Sequence, residues 1–68
     1  MIPIVLRLIN KRNEYLFADY TRNNEGTVFT LTDKHGNILR HGTLPIDLKT
    51  FEKAMIKSGY QNIDTYDN

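Results

Sequence analysis

The sequence has no cysteine, so it can form no disulfide and offers no thiolate to zinc. That fits a reducing compartment, and we expect a cytoplasmic protein. Two histidines are few for a structural metal centre, and no cofactor is expected. Long apolar runs are missing as well. The apolar start of the chain is broken by Arg7 and lacks the positive leader and small-residue cleavage site of a signal peptide. No stretch approaches the length that spans a membrane. The net charge of +1 is too small to point to a nucleic acid by itself. There is no phosphate-cradling glycine loop, nucleophile elbow or paired-histidine zinc motif. A chain of 68 residues also has little room for a deep pocket, so we expect no enzyme.

What is present reads as one small α+β domain. Three turn signals divide the first part of the chain: Asn10 to Asn13, Asn23 to Gly26, and Asp33 to Gly36. The second and third share a pattern of Asn or Asp, two residues, then Gly. That is the chemistry of a tight turn closed by a left-handed glycine in a bulged hairpin. The strands fall at about 2–9, 14–22, 27–33 and 37–44. A helix is predicted over about 48–58, with Asp47 as N-cap, an Ile46–Phe51 staple and Gly59 as left-handed terminator. Tyr60 then packs back onto Met55. Leu48, Phe51, Ala54 and Met55 form its apolar stripe, Lys49, Lys53 and Lys57 its wet side, and Ile56 falls outside the stripe. A short fifth strand and a docked extended segment both fit residues 61–68. The whole is a four-stranded antiparallel meander with one carboxyl-terminal helix on one sheet face.

Turn geometry sets register, and register sets which side chains share a face. With an even first loop, Leu8 faces Tyr15 and Leu6 faces Phe17. Bulged second and third turns place Asp19 opposite Leu31, Leu31 opposite Leu39 and Phe29 opposite His41. The expected core face is then Ile2, Ile4, Leu6, Leu8, Tyr15, Phe17, Phe29, Leu31 and Leu39. The other face carries Val5, Arg7, Ile9, Leu16, Ala18, Tyr20, Arg22, Val28, Thr30, Thr32, Ile38 and Arg40. An odd first loop would exchange the faces of the first strand.

This second face is half apolar, where a face left to water is mostly polar. One helix cannot cover both faces, so we expect it to meet a protein partner or a second copy. Arg7, Leu16, Tyr20, Arg22 and Arg40 are the expected binding residues, with Lys11 and Arg12 as a secondary basic loop. The leading reading is a small non-catalytic binding or regulatory module acting through that face, by protein contact or as a homodimer. The alternative is a sequence-tolerant binder of single-stranded nucleic acid, with arginines on phosphates and Tyr20 stacked on a base. No small-molecule substrate and no membrane partner are indicated. His35, His41, Asp19 and Asp33 form no closed set of metal ligands. The asparagine, isoleucine and lysine content suits a small accessory protein of a bacterium or phage.

The order of four strands then a helix, with the segment from Gly42 to Phe51 at the junction, resembles the single-strand DNA-binding domains of the transcriptional coactivator family. There too a polar cap follows an apolar strand, and an aromatic follows in the first helical turns. The resemblance covers the last two strands and the helix. It implies a dimer formed through the helices and sheets that grip unpaired DNA.

Overall fold

A computed structural model of the chain describes residues 6–21 and 25–63. The elements are β1 (Leu6–Ile9), β2 (Tyr15–Tyr20), β3 (Thr27–Thr32), β4 (Ile38–Leu44), α1 (Leu48–Lys57) and β5 (Gln61–Asn62). The strands form one antiparallel sheet in the order β4-β3-β2-β1-β5. The expected α+β meander with a carboxyl-terminal helix is present, and the tail adds a short fifth strand beside β1. Ile2, Ile4, Val5 and Arg22, assigned above to one face or the other, lie outside the described residues.

The ends of α1 form as their residues dictate. The Asp47 carboxylate accepts from the Thr50 amide at 2.7 Å, which satisfies one of the free donors of the first turn. At the other end Gly59 is left-handed at φ 103°. The Tyr60 amide donates to the Met55 carbonyl and the Gly59 amide to that of Ile56, both at 3.1 Å, a Schellman closure. Ile46, Met55 and Tyr60 pack against the core from outside it. Ala54, assigned above to the apolar stripe, is exposed. A second tie joins helix and sheet: the buried Thr27 hydroxyl donates to the Ile46 carbonyl at 2.9 Å.

The first and third loops are built alike. In the first, the Asn13 amide donates to the Asn10 carbonyl and the Asn10 amide to the Glu14 carbonyl, both at 3.1 Å. The Asn10 side-chain oxygen accepts from the amides of Arg12 and Glu14. In the third, Gly36 bonds back to Asp33 and Asp33 to Asn37, while the Asp33 carboxylate accepts from the amides of His35 and Asn37. Asn13 is left-handed at φ 59° and Gly36 at φ 86°. Both are three-residue loops with a left-handed bulge residue. The first loop is therefore odd, and Leu8 faces Leu16 instead of Tyr15.

The second turn also departs from expectation. Gly26 is not left-handed; its amide donates to the Thr21 hydroxyl and its carbonyl accepts from the Thr21 amide. A Cβ on Gly26 would meet the Leu44 carbonyl oxygen at 2.6 Å. Glycine serves close approach to the end of β4 here, and the strands pair as Leu16 with Leu31 and Ala18 with Phe29. In β4 the register moves by one between Leu31 and Thr32, so Leu31 faces Arg40 and Leu39 is the extra residue.

The core follows from these registers. Leu6, Leu8, Leu16 and Ala18 are buried on the sheet, under Leu48 and Phe51 of α1. Phe51 stacks on Phe29 with ring centroids 5.7 Å apart. Leu6, Leu8, Phe29 and Leu31 are where they were expected. Tyr15 and Phe17 are not: β2 is inverted, and its even-numbered residues point inward. Leu39, displaced by the bulge, is exposed.

Candidate binding surface

Residues paired across a ladder share a face, so the registers assign the side of the sheet away from α1. Ile9, Tyr15, Thr32 and Ile38 form one row, Arg7, Phe17, Thr30 and His41 the next, and Asp19, Val28 and Thr43 a third. Tyr15 and Phe17 meet edge to face, their centroids 6.4 Å apart and their rings at 90°, the geometry that ring quadrupoles favour. The Thr30 hydroxyl and His41 Nδ1 are 2.8 Å apart. No described element lies over these rows. Tyr15, Phe17 and Val28 are half-buried, and Ile38 is 67% exposed.

The residues singled out in the sequence are divided between the two sides. Arg7 stands on the open face, opposite Phe17. Leu16 is in the core at 3% exposure. Tyr20 faces Thr27 and Arg40 faces Leu31, which puts both on the α1 side. Arg22 is outside the described residues. The expected cluster of Arg7, Tyr20 and Arg40 therefore does not form. Tyr15 and Phe17 take the places given to Leu16 and Tyr20. Asp19 and His41, placed above opposite Leu31 and Phe29, belong instead to the open face, opposite Val28 and Thr30. The signal for the odd first loop was Asn13, since asparagine tolerates the left-handed conformation; Arg40 and His41 changed face with the bulge at Leu39.

Lys11 and Arg12 are exposed at a loop tip, with Arg12 Nε 3.5 Å from Glu14 Oε1. Lys34 and His35 hold the same two positions in the third loop. Because β1 and β3 both run antiparallel to β2, the two tips leave the same end of the sheet.

Two carboxyl groups are held below their ordinary range, and both have a structural cause. Hydrogen bonds from the Asn37 side chain and amide, and from the His35 amide, favour ionised Asp33. Hydrogen bonding from Thr50 does the same for Asp47. Among the described residues no group of three histidine or acidic side chains is placed to hold a metal ion. No described helix is long and apolar enough to cross a membrane.

No protein-family model matches this chain, and neither a curated protein nor a solved structure does. The resemblance to the coactivator family gains no support from these comparisons.

Proposed function

We propose that this chain is a non-catalytic binding module that pairs with a second copy through the open face of its sheet. The observation that carries this reading is the Tyr15–Phe17 pair, set with Ile9, Val28 and Ile38 on a face that no described element covers. Apolar side chains gathered on one exposed face mark an interaction site. The face also carries both signs of charge, Arg7 and Asp19, so a second copy meets no excess of like charge there. A symmetric interface requires such a self-compatible patch. The buried core among the described residues is small, and domains of this size gain from a second subunit. The two displaced carboxyl groups are accounted for by a turn and a helix cap, so they point to no acid–base site.

Molar mass by light scattering across a concentration series tests this. The wild type should approach twice the chain mass, and Phe17→Lys should remain monomeric while keeping its native amide spectrum. A wild type monomeric throughout the micromolar range would end the self-association reading and leave a different protein as the partner. Leu16→Lys is unsuited to the test, because it sets a charge in the core.

One observation favours a second reading, the binding of single-stranded nucleic acid, but at the end of the sheet and not on its face. The paired tips, Lys11 with Arg12 and Lys34 with His35, sit two strand spacings apart, about 10 Å. Binding there would weaken steeply with salt. A labelled oligonucleotide should then lose affinity to the triple variant Lys11→Ala, Arg12→Ala, Lys34→Ala and not to Arg40→Ala. Equal binding by both variants rejects it.

A further inference from the structure

Three features meet on the other side of the sheet, along β4. First, β4 ends the strand order, so its outer edge has no strand beside it among the described residues. Beyond the bulge at Leu39, residues 40–44 pair regularly with β3, and no described strand meets their outward backbone groups. Second, a cavity of about 230 Å³ opens between this edge and α1, walled by Leu31, Phe29, Phe51, Met55 and Leu44. The helix does not close it: α1 lies against β2 and β5, where Glu52 accepts from Asn62 at 3.0 Å, and reaches β3 through the Phe51–Phe29 stack. Third, Arg40 lines the same cavity, is exposed, and has no acidic residue on its own strand.

The α1-side residues of β4 are Arg40, Gly42 and Leu44. At Gly42 there is no side chain to screen the interior, and the Phe29 ring reaches across it, its tip 3.3 Å from where a Cβ would stand. A strand added outside β4 would therefore touch Phe29 directly at the position facing Gly42. Two residues away on the same side of that strand it would face Arg40, since side chains alternate.

We propose that β4 and the cleft beside it receive an extended peptide, which joins the sheet as a further strand. It sets an apolar side chain against Phe29 across Gly42 and a carboxylate on Arg40, two residues apart. Free edges are recognised in this way, with main-chain bonds giving affinity and alternate side chains giving choice. A second copy of β4 is the poorer occupant, because it offers Arg40 no carboxylate and brings a second arginine to the same edge. The site is on the opposite side of the sheet from Tyr15 and Phe17, so it does not depend on the self-association reading.

The test is selection of a displayed pool of eight-residue peptides on the full chain. Every position is varied among aliphatic and aromatic residues, threonine, glutamate and lysine. The wild type should enrich glutamate two positions from an apolar residue. The selected peptides should shift the amide resonances of residues 40–44, and should bind Arg40→Gln about tenfold more weakly, the loss of one charge-assisted hydrogen bond. Arg40→Glu should select lysine in place of glutamate. Three results overturn the proposal: no enrichment, an acid preference unchanged in Arg40→Glu, or shifts centred on Tyr15 and Phe17. Concentration-dependent shifts of residues 40–44 without peptide would assign the edge to a second copy, and overturn it as well.

Discussion

Asn13 and Gly36 hold equivalent positions in two hairpin loops of one design, left-handed at φ 59° and 86°. Three residues before each, an Asn or Asp folds its side chain over the loop amides. Asparagine is there on sufferance: its short polar side chain makes the conformation tolerable, where a branched one does not. Asn13→Gly should leave stability unchanged or slightly raised. Asn13→Val should lower it by about 1–2 kcal/mol, read from urea unfolding. Equal stability of the two variants would mean that residue 13 does not adopt this backbone in solution.

The inverted β2 makes a second, sharper expectation. Leu16 is buried between β1 and β3, and Leu39 is about half exposed. Leu16→Ala should cost about 2–5 kcal/mol, as large-to-small changes in cores do. Leu39→Ala should stay within about 0.5 kcal/mol. The opposite ranking would restore the even first loop and with it the other assignment of faces.

Acid should weaken the fold through Asp33 and Asp47. Both have folded pKa values below the ordinary 3.8. Their hydrogen bonds therefore stabilise the fold fully above that value, and the contribution disappears as pH falls through the lower, folded values. The thermal midpoint should decline below about pH 4. In the double variant Asp33→Asn, Asp47→Asn the decline should be shallower, since asparagine still accepts in a turn or cap but does not titrate. An unchanged decline would assign the acid sensitivity to other carboxylates.

The helix was legible in the sequence because its signals are local. Asp47, Ile46, Phe51, Gly59 and Tyr60 each act within a turn of where they stand, and each does what its chemistry dictates. The third loop was legible for the same reason. The faces of the sheet were not, since parity is lost by one miscounted residue. Two miscounts occurred, at Asn13 and at Gly26, and each reversed the pairing. Together they cancelled for β1 and β3, which kept Leu6, Leu8, Phe29 and Leu31 in place, and turned β2 over, while the bulge at Leu39 did the same to residues 40–44 of β4. The bulge at Leu39 had no signal of its own, because nothing in Ile38, Leu39 and Arg40 says which residue is extra. The candidate surface suffered most, since Leu16, Tyr20 and Arg40 all depended on parity.

The short strand β5 has a consequence for the order in which the molecule assembles. Every other strand pair joins neighbours in the chain, whereas Leu8 with Asn62 and Ile9 with Gln61 bring distant segments together. The loss of chain entropy is concentrated in that one closure. The hairpins should form early and stand as a bare meander until α1 docks and carries β5 to β1. Native-state hydrogen exchange should find β5 opening locally while β2 and β3 exchange only on global unfolding, and equal protection of all three would contradict this. Pulled along this strand, the chain should leave β1 at Asn62 before Gln61, with the hairpins still intact behind it.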